Sequence, residues 1–189
     1  MTIVLIGPPA AGKSRIGKRL AKRLGLRFVD TDAVIVSHHG PIPAIFADHG
    51  EPHFRRLERE AVVEALRGPG VVSLGGGAVL DPDTRSDLAN TSVVLLTVKP
   101  EAIAERIANA KRPLVTDLDS WKRLVEQRTD LYNSLAGYTS DTSHRPVATI
   151  VEEIALWIEA HSIAEEARES AAASDEASTE ASTKEDSDD

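Results

Sequence analysis

The segment Gly7-Pro-Pro-Ala-Ala-Gly12-Lys13-Ser14 fits the pattern G-x-x-x-x-G-K-[ST]. Each position of that pattern answers to a polyphosphate. Gly12 permits a backbone in which successive N–H groups turn inward toward phosphate oxygens, and the N-terminus of a following helix adds a favourable dipole. Lys13 supplies a point charge for the β- and γ-phosphates, and the Ser14 hydroxyl can ligate Mg²⁺. Gly7, Ala10, Ala11 and Arg15 complete the expected cradle. An ordinary glycine-rich turn with an exposed lysine could carry the same letters. The context argues for phosphate, because a buried-strand pattern precedes the segment and an amphipathic-helix pattern follows it.

Three further groups could act beside such a cradle. Asp30-Thr31-Asp32 carries two carboxylates that point the same way if the backbone is extended. Beside a triphosphate, one can hold Mg²⁺ or its water shell while the other orients an attacking hydroxyl and accepts its proton. Helix N-caps use the same residues. In Phe54-Arg55-Arg56-Leu57-Glu58-Arg59, a helix would put Arg55, Glu58 and Arg59 on one face. An arginine there can grip a carboxylate through two parallel hydrogen bonds, with Glu58 fixing the guanidinium. A solvated face of ion pairs would read alike, and spacing does not choose among the arginines. Finally, Leu74-Gly75-Gly76-Gly77-Ala78 offers N–H groups unobstructed by side chains, suited to an acceptor or to a transferring phosphoryl group, or else forms a plain flexible turn.

The elements that must position these groups follow from periodicity. Thr2 to Ile6 is a continuous apolar run, the pattern of a strand buried on both faces of a parallel sheet. Ser14 to Leu24 repeats Ile16, Leu20 and Leu24 at helical spacing and stops at Gly25. Further strands are expected at Leu26 to Val29, Val71 to Leu74, Val93 to Val98 and Tyr138 to Thr142. Helices are expected at Ala33 to Ser37, Ala44 to Ala47, Glu51 to Leu66, Asp81 to Leu88, Pro100 to Ala108, Ser120 to Leu135 and Val147 to His161. The Lys111 to Ser120 segment reads as a mobile loop. Alternation of strand and helix implies an α/β fold: a three-layer parallel sheet of about five strands with helices on both faces, and ligands outside the carboxyl ends of the strands.

Composition narrows the function classes. At 189 residues, one compact domain is expected, and a monomer with it. No apolar run approaches the roughly 18 residues of a bilayer span, and the N-terminus lacks the layout of a signal peptide, so a cytoplasmic protein is expected. Without cysteine there is no thiol nucleophile, disulfide or thiolate-held metal. The net charge of −8 belongs to Ser162–Asp189, which holds ten acidic and two basic residues, whereas Met1–His161 is balanced. That tail has too little apolar surface to order itself. A balanced core lacks the basic face of a nucleic-acid binder. Six histidines, including His38, His39, His49 and His53, lie in polar stretches, and phosphoryl transfer with a hard cation does not require imidazole. Trp121 and Trp157 read as packing residues.

Taken in order, the phosphate-binding loop, Asp-x-Asp, Phe-Arg near Gly50-Glu51, and the three glycines resemble the shikimate kinases over residues 1–161. The resemblance implies a P-loop kinase domain with an acceptor-binding part at about 31–66 and a lid at about 109–120, followed by a disordered acidic tail at 162–189. It implies ATP as co-substrate with one Mg²⁺ ion, held through Ser14 and Asp30, and shikimate as acceptor. Asp32 would contact the ring hydroxyls and serve as base, while Arg55 and Arg128 would hold the carboxylate. Glu58 would support Arg55, and Gly75, Gly76 and Gly77 would line the site. Lys13 and the lid residue Arg112 would reach the transferring phosphoryl group, and Arg106 and Arg145 would lie near adenine. The chain departs from the family pattern at Ala10, where glycine is usual, at Val36, and by one missing residue around Gly40–Pro43. Kinases for gluconate or nucleoside monophosphates, and a non-catalytic nucleotide-binding regulator, are the alternatives.

Overall fold

The computed structural model describes residues 1–108 and 118–163, with side chains described for all of these except 106–108. Most of the expected lid, including Arg112, the Arg106 side chain, and the expected tail beyond residue 163 lie outside the described residues.

Strand β1 (Thr2–Ile6) is apolar after its first residue because both of its faces are covered. Val4 and Ile6 share one core cluster with Val62, Val72, Leu88, Leu95 and Tyr132. Leu5 points the other way, toward Gly17 of helix α1 (Lys13–Leu24), where the Phe28 ring also packs. The remaining strands are β2 (Phe28–Asp30), β3 (Gly70–Ser73), β4 (Ser92–Thr97) and β5 (Tyr138–Asp141). They form one parallel sheet in the order β2-β3-β1-β4-β5. This is the expected sheet of five parallel strands with helices on both faces.

Strand order is what assembles the site. β3 lies between β1 and β2, with Leu5 and Asp30 both in register with Ser73. The turns that leave β1, β2 and β3 therefore emerge side by side from one edge of the sheet: the phosphate-binding loop, the Asp30–Asp32 segment and the three glycines.

Two local expectations need correction. Asp30-Thr31-Asp32 is not an extended pair. β2 ends at Asp30, which caps α2 (Thr31–His39) by accepting a hydrogen bond from the Ala33 N–H at 3.1 Å, so Asp32 lies in the first helical turn. The short helix expected at 44–47 and the longer one at 51–66 are one run, α3 (Ile42–Leu66), broken by non-helical backbone at Gly50 (φ 76°, ψ 171°). Pro52 sits just after that break, where a missing N–H costs nothing.

A 3-10 turn at Ala78–Leu80, absent from the sequence reading, joins the glycines to α4 (Pro82–Leu88). Helix α5 spans Pro100–Ala108, and α6 (Leu118–Leu135) starts two residues before the expected Ser120. Compact packing defines a first unit, Met1–Ile154, whose last residues, 147–154, are helical. In the second unit, which begins at Ala155, residues 155–163 are helical. No helix among the described residues is long and apolar enough to cross a membrane.

The guanidinium of Arg27 closes the α3–β3 connection: Nε donates to Pro69 O, and Nη2 to Ala65 O and Gly68 O, each at 2.8 Å. Because the group is exposed, solvent discounts these charge-assisted bonds. Arg27→Ala is expected to lower unfolding free energy by about 1 kcal/mol in urea titrations without changing the m-value.

Candidate active site

The phosphate-binding loop leaves β1 at Gly7, whose φ is 133°. A Cβ there would collide with the Leu96 carbonyl oxygen of β4, so only glycine fits. Two residues outside the loop anchor its outer side. The Trp121 Nε1–H donates to Pro9 O at 3.0 Å, and the Thr142 hydroxyl donates to Ala11 O at 2.9 Å. Lys13, the first residue of α1, folds its ammonium back onto the loop, donating to Gly7 O at 2.8 Å and Pro8 O at 2.9 Å. Burial pushes its pKa down to about 8, against the opposing pull of Asp32 and then Asp30. Ser14 and Arg15 follow on exposed positions of the same helix.

Facing this loop is a wall built around the three glycines. Thr31, fully buried, accepts from the Gly75 N–H at 3.0 Å and donates to Ser73 O at 3.4 Å, fastening the start of α2 to the end of β3. A Cβ on Gly75 would lie 2.6 Å from Asp32 Oδ1 and 2.7 Å from Glu58 Oε1, so both carboxylates close on one backbone point. A Cβ on Gly77 would strike the Arg55 guanidinium at Nη1 and come within 3.0 Å of its central carbon. From the other side, Arg128 Nη1 and the Tyr132 hydroxyl both donate to Gly76 O, at 2.9 and 2.6 Å.

Charges in the wall are paired tightly. Arg55 Nη1 donates to Glu58 Oε2 at 2.6 Å, and Glu51 Oε1 accepts from Arg55 Nη2 at 2.8 Å and from Nε at 3.1 Å. Burial works against the Arg55 charge, but its bonds to Glu58 and Glu51 outweigh it and hold its pKa above the ordinary arginine value. Glu58 is itself buried, and that burial raises its pKa although Arg55 draws it down. Asp32 is also raised, first by burial and then by Asp30, with Lys13 and Arg55 opposing. Tyr132 is raised by burial, opposed by the Arg128 charge.

Between loop and wall lies a cleft of about 690 Å³ whose lining includes Lys13, Ser14, Asp30, Asp32, Ser73 and Gly76. A groove of about 440 Å³ between α2 and α3, lined by Val34, Leu57 and Val63, contains none of these groups. The cleft suits a hard cation. Ser14, Asp30 and Asp32 present oxygen donors, and a Mg²⁺ ion keeps waters and takes substrate phosphates to complete its octahedron. Among the described residues no three His, Cys, Asp or Glu side chains cluster closely enough to hold a metal by themselves.

The sequence-predicted residues divide accordingly. Lys13, Ser14, Asp30, Asp32 and Gly76 line one cleft, and Arg55, Glu58, Gly75, Gly77 and Arg128 are joined to it by the contacts above. Arg59, grouped with Arg55 by spacing, instead pairs with Asp87 at 2.6 Å. Arg145 pairs with Glu153 at 2.5 Å. Arg106 and Arg112 fall outside the described side chains. Sequence reasoning quoted Thr31 and Glu51 within motifs but gave them no role of their own, missed Tyr132 and Thr142, and gave Trp121 only a packing role. Tyr132 could have been found, since it stands four residues after Arg128 on the same helical face.

Comparison with known proteins gives the family. The model of the shikimate kinase family matches residues 9–159. The shikimate kinase of Thermobifida fusca is 45% identical over 157 residues, covering 80% of this chain and 91% of that protein. That of Streptomyces coelicolor is 48% identical over 139 residues, covering 71% and 81%. Among solved structures, shikimate kinase from Acinetobacter baumannii in complex with shikimate superposes with a TM-score of 0.78 at 32% identity, covering 85% of this chain and 93% of that one. With a match of this extent laid over a phosphate-binding loop that faces a guanidinium-lined wall, the chain belongs to the shikimate kinase family.

Proposed function

We infer that this chain transfers the γ-phosphoryl group of ATP to the 3-hydroxyl of shikimate, giving shikimate 3-phosphate and ADP in the route to aromatic amino acids. The observation that carries the reading is the convergence of Asp32, Glu58 and Arg55 on the Gly75–Gly77 backbone, with Arg128 on Gly76 O and the Lys13 ammonium across the cleft. A carboxylate-bearing alcohol needs a guanidinium for its anion and a carboxylate for its hydroxyl, and both stand here at the edge of a phosphate site.

In this reading Arg55 and Arg128 receive the acceptor's carboxylate, and Glu58 holds the Arg55 fork in orientation from beneath. Asp32 orients the attacking hydroxyl. Its pKa, raised by burial and then by Asp30, makes it a better proton acceptor than an ordinary aspartate. Lys13, Arg112 and the N–H groups of the loop meet the charge that spreads over the equatorial oxygens in the transition state. Ser14, and Asp30 behind it, would hold Mg²⁺, which when bound would supply charge neutralisation for the phosphates. Gly75, Gly76 and Gly77 let the acceptor approach the backbone, and Arg106 and Arg145 belong to the nucleotide side. The chain works as a soluble cytoplasmic monomer.

A coupled ADP assay with Mg-ATP and a panel of acceptors tests this directly. Shikimate should be preferred by orders of magnitude, and a preference for gluconate or a nucleoside monophosphate would overturn the assignment. Asp32→Asn should cut kcat by about 10²–10⁴-fold. Arg55→Ala should raise the KM for shikimate by about 10–100-fold, the value of one bidentate charged contact, with a smaller effect on kcat.

The depressed Lys13 pKa gives a second test. With a pKa of about 8, Lys13 is expected to be protonated near pH 6.5 and to lose charge as the pH rises past 8. Bound phosphates raise that pKa again, so nucleotide binding at pH 8.5 takes up a proton and affinity falls as pH rises through 8. Calorimetric titration with MgADP in buffers of different ionisation enthalpy should show uptake at pH 8.5 and little from this group at pH 6.5.

A further inference from the structure

Ala10 is the only non-glycine residue with positive φ among the described residues, at 63°. An L-residue resists that conformation because its Cβ crowds the following carbonyl. Rotating the Pro9–Ala10 peptide by half a turn would relieve it: Pro9 ψ and Ala10 φ change together, Ala10 returns to negative φ, and both values of ψ are open to proline. The rotation would also exchange the directions of the Pro9 carbonyl and the Ala10 N–H, which point opposite ways across a trans peptide. Pro9 and Ala10 line the cleft, and in a loop that binds anions through its N–H groups such an exchange would put a carbonyl oxygen where an N–H stood.

What opposes the rotation is Trp121. Its indole Nε1–H donates to Pro9 O at 3.0 Å, and the side chain is only 3% exposed, so water has little access to replace it. The indole has a single donor and no acceptor, and burying it unpaired would be costly. The Pro9 ring is held as well, since a Cβ on Gly76 would lie 3.2 Å from Pro9 Cδ. Trp121 stands on the same face of α6 as Arg128 and Tyr132, seven and eleven residues further on, which grip Gly76 O. One helix thus fixes the loop at Pro9 and the wall at Gly76.

We propose that Trp121 is a positioning residue for nucleotide binding: its hydrogen bond to Pro9 O locks the Pro9–Ala10 peptide in the orientation that the alanine at position 10 disfavours. The proposal deepens the kinase reading and rests on it for its functional consequence. It explains how this chain tolerates alanine at position 10. It also makes a signature that packing alone would not give, namely that the importance of Trp121 depends on the side chain at position 10.

The test is a double-mutant cycle of W121F with A10G, read by MgADP titration and by the KM values for ATP and shikimate. W121F should weaken MgADP binding by about fivefold to tenfold, the value of one buried hydrogen bond, with the shikimate KM within about twofold of the starting protein. In the A10G background the same substitution should change MgADP binding by less than about twofold, since glycine has no preference for the rotated peptide. Crystals of W121F grown without nucleotide should show Ala10 at negative φ, and those of W121F/A10G the original peptide orientation. Should W121F fold poorly, benzothienylalanine at position 121 keeps the indole shape and removes only the N–H. Equal losses in both backgrounds, equal losses for both substrates, or Ala10 still at positive φ in W121F would overturn the proposal. A starting protein that fails to bind MgADP would instead overturn the kinase reading, and the W121F crystal structure would still decide the role of Trp121.

Discussion

Two carboxylates and a guanidinium can share one small volume only if the backbone beside them gives up its side chains. At Gly75 there is room for the Asp32 and Glu58 oxygens but not for a methyl group, and at Gly77 the Arg55 guanidinium takes the place of a Cβ. The glycine run is therefore less a flexible turn than a mould. Its shape is held by polar contacts from two helices: Thr31 of α2 on the Gly75 N–H, and Arg128 with Tyr132 of α6 on Gly76 O. Side chains from α2, α3 and α6 meet there because the strand order brings β2, β3 and β1 to one edge.

Electrostatics sets the terms for the rest. Glu58 is nearly out of contact with water, and a lone carboxylate there would be protonated. Its bond to Arg55 keeps it paired, and Glu51 on the exposed edge of the same guanidinium completes a line of alternating charge. A lysine in place of Arg55 could not serve both neighbours and still offer a planar fork to a third anion. Asp32 and Lys13 lie under the same constraint with less help. Burial opposes both charges, lowering the lysine and raising the aspartate, while their mutual attraction pulls each back. Half-buried opposite charges of this kind contribute little stability, but an incoming phosphate readily restores the full charge of the lysine.

The sequence conveyed the fold well because the signals were local. β1 is a continuous apolar run, α1 has an uninterrupted apolar stripe, and five strands alternating with helices admit few arrangements. It conveyed Arg55–Glu58 as a pair from helical spacing alone, yet could not prefer Arg55 over Arg59. That choice depends on Asp87, which takes Arg59 from an element whose distance in the chain hides the contact. Asp30-Thr31-Asp32 misled in geometry because an aspartate ending a strand and an aspartate capping a helix are the same residue here, and the cap pulled Asp32 into a helical turn. Thr31 and Thr142 were invisible for a different reason. Each acts through one hydroxyl on backbone atoms far along the chain, and a threonine carries no mark of such partners.

The cradle and the acceptor wall are built largely from separate parts, and this determines which perturbations stay local. β1, β4 and Thr142 support the phosphate-binding loop, while α2 and α3 support the wall. Among the described residues they meet across the Asp32–Lys13 attraction, at the Pro9–Gly76 contact, and along the α6 face that reaches both. A disturbance in α3 can therefore misplace Arg55 while the loop is left intact, because no backbone hydrogen bond joins the two in the described residues. Displacement of α6 as a body has no such confinement, unlike the loss of one of its side chains: Pro9 O and Gly76 O are gripped from one helix, so moving it shifts the phosphate site and the acceptor site together.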